Sequence, residues 1–404
     1  MIVYTPVNKT KDVWLLARAM LRKGEEQRIL LGHPWVFDNE ILSISGECAD
    51  GGIIDVISAG GKFLGRGYFN PKSKITVRIL TREDEEINRA FFEKRIVAAW
   101  EYRKRVADIN CCRVIFSEAD LLPALIVDKF GDYLSVQTLA LGIDVHKEML
   151  IDILDGLISP KGIFERNDVP VREKEGLQQQ KGFLKGKFDT TVEIIENGNR
   201  MLVDIENGQK TGYFLDQREN RAAIAPYVAG ADVLDAFCHT GGFAVHAARY
   251  GAKSVEAVDI SEHAIDYARR NAALNGFEGV INGVVGNVFD ILKEYDTSGR
   301  QFDTIILDPP AFCKSRAALN GAYRGYKEIN LRAMKLLRAG GFLITCSCSH
   351  YMLPQLFTKM LTEAAADSKR IIRQIEFRAQ SKDHPVLLGE AESLYLKCVI
   401  LQVM

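Results

Sequence analysis

Five polar residues at the ends of short apolar runs carry the chemistry open to this sequence: Asp235, Asp259, Asn287, Asp308 and Cys348. Asp235 closes the run at Val233 and Leu234 in DVLDAFCHTGGF. Thr240, Gly241 and Gly242 then form a tight turn that opens a helix near Phe243. Glycines let a ligand approach the backbone, and the helix start offers free N–H groups. The next apolar run, Ser254 to Val258, ends in Asp259, at about the offset where an acid meets a ribose hydroxyl pair. Asp308 begins DPPAF, and Cys348 lies in TCSCS at the end of a later run. Carboxylates bind cations and diols; a thiolate is a nucleophile.

Other ligands of such a turn demand residues that are missing. A dinucleotide fingerprint needs G-x-G-x-x-G, and a P-loop needs Lys-Ser or Lys-Thr after its last glycine. The turn contains no lysine, and Asp235 would repel a pyrophosphate. Asp235 suits a cationic ligand end such as the amino group of S-adenosylmethionine (SAM), so the expected cofactor is a nucleoside with a positive charge.

The surrounding elements must present these residues at one edge. The 404 residues predict two or three domains, and 47% hydrophobic with 26% charged residues is ordinary for a globular protein. Net charge is -1, so distribution matters more than balance. Residues 1–82 hold twelve Lys and Arg against eight Asp and Glu; residues 311–338 hold seven basic residues against one acid, Glu328. Such charges are most often a solvated face, and a nucleic-acid surface is the functional reading. The eight cysteines include no C-x-x-C pair, which argues against a zinc ribbon and fits a reducing cytoplasm; no metal is expected. There is no recognisable signal peptide, and no apolar run approaches the roughly 20 residues of a membrane span.

Residues 1–82 alternate apolar positions between glycines, as expected for a small β-barrel, with Arg28, His33, Trp35, Arg66, Tyr68, Phe69, Lys72 and Lys74 as a candidate RNA-binding face. Residues 83–190 read as an α+β linking domain: a helix from Asn88 to about Val106, then two strand pairs about a second helix. Residues 191–404 read as an α/β domain. Phe214, Asp216, Gln217 and Arg218 precede a helix facing the glycine turn, and an aromatic, an acid, an amide and a guanidinium suit the lid of a nucleoside pocket; Asp216 is alternatively a helix cap. Strands and helices then alternate regularly. The last two strands, IIRQIEFRAQ and LYLKCVILQV, lack a crossover helix and should be antiparallel, giving seven strands with one reversed.

That arrangement resembles the Rossmann-like class I SAM-dependent methyltransferases over about residues 200–404. The resemblance implies that Asp235 is the first-motif acid, Asp259 the ribose acid, Asn287 the adenine contact and Asp308 the acid at the catalytic pocket. Phe214, Asp216, Arg218, Phe237, Thr240, Gly241, Gly242 and Val288 complete the cofactor site. His239 stands where many members have glycine, so the turn should depend on Gly241 and Gly242; Asn287 replaces a frequent aspartate. DPPAF looks like the signature of base methylation, with Pro309, Pro310, Phe312, Lys314 and Arg316 facing the substrate.

Methylation at a pyrimidine carbon needs more, because C5 is not nucleophilic until a thiolate adds to C6. Cys348 is the better placed cysteine of TCSCS; the bland reading of both cysteines is core packing. With GYFLDQR, DPPAF and SCS together, nearly the whole chain resembles the RlmI-type ribosomal RNA large-subunit cytosine-5 methyltransferase family: a PUA barrel, an EEHEE middle domain and a class I domain. That resemblance implies Cys348 as nucleophile, Asp308 as the hydrogen-bonding partner of the cytosine, and ribosomal RNA as substrate. Cys313 lies three residues after Pro310, not directly after a proline, and receives no role. Methylation of an exocyclic nitrogen of guanine or adenine is the alternative, and an RNA-binding assembly factor a third reading. Oligomeric state, including a homodimer, is left open.

Overall fold

A computed structural model of the chain describes residues 3–5, 16–313 and 315–404; Lys314 lies outside the described residues. The chain divides into two compact units. The first comprises residues 1–192, 203–213 and 382–393, and the second 193–202, 214–381 and 394–404.

In the first unit, β1 (Val3–Thr5), β2 (Arg18–Leu21), β3 (Trp35–Phe37), β4 (Ile41–Ser45), β5 (Ile53–Ile57), β6 (Phe63–Phe69) and β7 (Ile75–Thr81) form one sheet in the order β1-β4-β2-β5-β6-β7-β3. Its core gathers Ala19, Leu21, Val36, Ile54, Val56 and Val77, all fully buried. Most of the expected RNA-binding face is committed elsewhere. Tyr68 and Phe69 are core residues, and the Tyr68 hydroxyl donates to the Pro123 carbonyl. Trp35 donates to Glu118 at 2.8 Å, Arg28 pairs with Glu40, and Arg66 with Asp55 and Asp84. Aromatics at alternating strand positions point inward as readily as outward, and hydrophobic burial decides for the inside.

A second sheet in this unit holds β8 (Cys111–Phe116), β9 (Leu125–Phe130), β10 (Tyr133–Thr138), β11 (Gly162–Asn167) and β12 (Gln180–Lys185), in the order β12-β11-β10-β9-β8. Three strands, rather than two, precede the helix Lys147–Ile158. The helix Arg89–Val106 starts where Asn88 caps it, accepting from Phe91 N–H, and buries Phe91, Phe92, Ile96 and Trp100 as its spacing predicts. The ribbon β13 (Thr191–Glu196) and β14 (Asn199–Asp204) follows.

The second unit carries a seven-stranded sheet: β15 (Asp232–Ala236), β16 (Ser254–Asp259), β17 (Ile281–Val285), β18 (Phe302–Leu307), β19 (Leu337–Ser347), β20 (Ile372–Arg378) and β21 (Lys397–Val403), in the order β17-β16-β15-β18-β19-β21-β20. Only β21 runs against the others, pairing antiparallel with β19 and β20. The central strands are apolar along their length because helices cover both faces: Val233, Leu234, Ala257, Ile305, Ile306 and Ile344 are buried. Chain reversal of the strand order falls between β15 and β18, and there the carboxyl ends leave a crevice. The segment between β20 and β21 is more than a loop, since residues 382–393 pack into the first unit.

Candidate functional site

The crevice is built from strand ends of the second unit. Asp235 lies on β15 opposite Ala257 of β16 and Ile306 of β18, with no solvent exposure. Burial, then the neighbouring charge of Asp308, pushes its carboxyl up to about 8, with the Ala244 amide acting in the other direction. Neither carboxylate oxygen meets hydrogen-bond geometry with a partner, nor does the buried Thr240 hydroxyl. Unpartnered buried acceptors cost free energy, so a ligand that donates to them is favoured there.

Past β15 the backbone turns through left-handed conformations at Phe237 (φ 66°), His239 (φ 51°) and Gly241 (φ 81°). Two are not glycine, and left-handed conformations are uncommon for such residues outside functional turns. A glycine at 239 would adopt this φ freely; His239 holds it with its backbone N–H donated to Asp259 Oδ2 at 3.0 Å. Its imidazole packs edge-on to Phe214 at 5.1 Å, and burial lowers its pKa to about 4. Gly241 rather than Gly242 carries the conformational demand: a Cβ on Gly241 would sit 3.0 Å from the Ala268 side chain, whereas Gly242 begins the helix Gly242–Arg249.

Asp259 ends β16, and its second oxygen accepts from Ser261 N–H at 2.9 Å. Two backbone donors thus fix its carboxylate at the crevice edge. Ser261 caps the helix Glu262–Leu274, as its position predicts. Asn287 is exposed and accepts from Phe289 N–H as cap of the helix Val288–Ser298, which leaves its amide group available; Val288 is core.

Asp308 follows β18 and is held by Gln217, the amide of the expected pocket lid, in a pairing the sequence did not indicate. Gln217 donates its amide to Asp308 Oδ1 at 2.9 Å, while Gln217 Oε1 accepts from Asn220 Nδ2 at 2.7 Å. The second bond fixes which end of the Gln217 amide faces Asp308. Around it, Asp216 accepts from the Tyr395 hydroxyl at 2.5 Å and its carbonyl from Ser381 N–H, while the Arg218 carbonyl accepts from Asn197. Asp216 is therefore tied into the site wall rather than acting as a helix cap.

Pro309 is buried and Pro310 exposed. The Phe312 ring packs against Tyr326 (4.7 Å), Phe289 (5.8 Å) and Phe237 (6.2 Å), so one side of it is core. Arg316 is exposed in a short turn at residues 316–318. Of the basic residues in 311–338, Lys327, Arg332 and Arg338 pair with acids, whereas Arg316, Arg324 and Lys335 make no ion pair among the described residues.

The parallel pairing of Leu307 with Thr345 brings Asp308 and the TCSCS end of β19 side by side. The two cysteines there differ. Cys346 is fully buried opposite Cys398; its hydrogen bond with that thiol and its burial raise its pKa well above ordinary. Cys348 lies one residue past the strand end and is partly exposed. Its neighbours anchor it. Ser347 Oγ and Ser349 Oγ each lie 3.0 Å from the Tyr326 hydroxyl, and Ser349 Oγ also accepts from Cys313 N–H at 3.1 Å. One phenol thereby joins both serines, and Ser349 joins them to the loop after DPPAF.

The residues present fit SAM: unpartnered Asp235 and Thr240 for a donor, Asp259 fixed at the crevice edge, and no lysine in the turn to select a phosphate. Comparisons agree. Residues 19–82 match a PUA-like domain and residues 175–388 an S-adenosylmethionine-dependent methyltransferase. The chain is 40% identical over 396 residues to a protein of Klebsiella pneumoniae, covering 96% of this chain and 99% of that one, and 41% identical over 393 residues, with the same coverage, to one of Aeromonas hydrophila; both are named ribosomal RNA large subunit methyltransferase I. Among solved structures, a chain from Streptococcus mutans assigned as a SAM-dependent methyltransferase superposes with a TM-score of 0.81 at 21% identity, covering 96% of this chain and all of that one. A second, complexed with SAH, gives 0.82 at 20% identity with the same coverage. The fold, the donor set of the crevice and the full-length likeness converge: this chain belongs to the SAM-dependent methyltransferases, in the ribosomal RNA large subunit methyltransferase I family.

Proposed function

We propose that the chain methylates C5 of a cytosine in large-subunit ribosomal RNA, with Cys348 as covalent nucleophile. The observation that carries this is the contrast at the end of β19: Cys346 is sealed against Cys398, while Cys348 is partly exposed beside Asp308 between two anchored serines. The relatives' names supply the RNA, and the PUA-like match a module suited to it.

In this reading Asp235 takes the cofactor's amino group, Asp259 its ribose hydroxyls, and Asn287 with Val288 its adenine edge. Phe214, Asp216, Arg218, Phe237, Thr240, Gly241 and Gly242 form the surrounding wall. When bound, SAM supplies the electrophilic methyl carbon that an activated C5 takes up. Asp308, aimed by Gln217, hydrogen-bonds the flipped cytosine; Pro309, Pro310 and Phe312 hold the loop around the base, and Lys314 and Arg316 meet the RNA backbone. The Cys348 thiolate forms the S–C6 bond and raises electron density at C5. Loss of the C5 proton to a base then expels the thiolate, restoring the aromatic ring and the free cysteine.

RNA carrying 5-fluorocytosine tests the covalent step, because fluorine at C5 blocks the last elimination. With SAM present, the protein should form a denaturant-resistant RNA adduct that Cys348→Ser does not form. An adduct of equal yield in Cys348→Ser would remove Cys348 from the reaction.

A further inference from the structure

A cysteine nucleophile must be ionised to attack, and an ordinary thiol with a pKa of about 8.5 is only a few per cent thiolate at pH 7. Among the described residues, a cation is built into the structure beside Cys348. Lys397 begins β21, paired in register with Ser347, and is 1% exposed. Its ammonium donates to the Ser349 carbonyl at 2.8 Å and to the Tyr395 carbonyl at 2.8 Å. It therefore grips the carbonyl of the residue that follows Cys348, and Cys348 is the charged-state partner that raises its proton affinity.

A buried ammonium is costly without a counter-charge. Among the described residues no carboxylate pairs with Lys397, and two carbonyl dipoles use two of its three N–H groups. We propose that Lys397 is the positioning residue that stabilises the Cys348 thiolate, a role that rests on the reading of Cys348 as nucleophile. The Cys348 S–H proton leaves to solvent water; Lys397 stays protonated and forms no bond to the base. Burial lowers the Lys397 pKa to about 8, which still leaves the cation predominant at neutral pH.

The other groups here are not competing cations. Tyr326, from the helix Leu319–Leu336, has its phenol pushed up to about 12 by burial and is neutral at pH 7. Cys346 and Cys398 are buried free thiols hydrogen-bonded to each other, and Asp308, after β18, would disfavour rather than favour a nearby thiolate. Among these described groups, Lys397 is thus the one whose charge acts in the required direction.

The test is the pH dependence of Cys348 alkylation by iodoacetamide in the full chain without RNA, followed on the Cys348 peptide by mass spectrometry. In the unsubstituted protein the midpoint should lie below that of an ordinary thiol. Lys397→Met should raise it by at least one pH unit, about a tenfold loss of thiolate at pH 7, and Lys397→Arg should restore most of the shift. Equal midpoints in the unsubstituted chain and a folded Lys397→Met chain would overturn the proposal. So would a midpoint at or above 8.5 in the unsubstituted protein, a result that stands even where Lys397→Met does not fold. Alkylation requires no methyl transfer, so this outcome is separable from the identity of the methylated base.

Discussion

At the scale of single residues, what was legible in the sequence was residue type at a strand end. Asp235, Asp259, Asp308 and Cys348 could be picked out because a polar side chain follows an apolar run. Gln217 was legible as the amide of a nucleoside-pocket lid but not as the partner of Asp308, and Lys397 was not legible: each draws its importance from a partner far along the chain, Asp308 and Ser349, that only strand register and helix placement bring near. Gln217→Leu should leave Asp308 without its amide donor and lower kcat/KM about tenfold, the equivalent of one buried hydrogen bond of roughly 1–2 kcal/mol, in a methyl-transfer assay. Asp235 makes a pH prediction. Its carboxyl titrates at about 8 in the fold and at about 3.9 in the unfolded chain, so between these values the folded state binds more protons. Its contribution therefore falls as pH rises from about 4 to about 8. In cofactor-free protein, Asp235→Asn should flatten this part of the Tm-versus-pH profile; an unchanged slope would mean that Asp235 ionises normally.

At the scale of elements, alternating strands and helices from β15 onward were readable because each strand is an apolar run and each helix has a start signal, as at Ser261 and Asn287. The strand β8 was missed, since CCRVIF is apolar at every position but Arg113 and so shows no alternation to mark it. The strained turn was only half legible: glycine spacing identified the turn, but the left-handed backbone at Phe237 and His239 breaks the preference of their residue types. Two hydrogen bonds to Asp259 and the packing of Ala268 against Gly241 hold it. Gly241→Ala combines a positive φ with a 3.0 Å contact and should cost about 2 kcal/mol in urea denaturation. A neutral result would show that the turn relaxes without loss.

At the scale of the whole molecule, composition and apolar patterning predicted the α/β sheet with its single reversed strand, but not the membership of residues 382–393. They read as a connection between two strands, yet they complete the first unit. Asp383 is fully buried there, accepting from Arg113 N–H at 3.0 Å, while its carbonyl accepts from Arg103 at 2.8 Å. Asp383→Ala should remove the buried acceptor of the Arg113 amide at a cost of roughly 1–3 kcal/mol, measurable as a lower Tm. Residues 19–82 match a PUA-like domain, yet of the RNA-facing residues expected there Tyr68 and Phe69 serve the core and Arg28 and Arg66 ion pairs, because aromatic and basic side chains suit those roles as well as a ligand. The chain's activity is tested most directly by incubating it with large-subunit ribosomal RNA and methyl-labelled SAM, digesting the RNA to nucleosides and identifying the labelled base, with Cys348→Ala in parallel. The account predicts label in 5-methylcytidine and none with Cys348→Ala. Label on an exocyclic nitrogen, or label undiminished by the substitution, would contradict it.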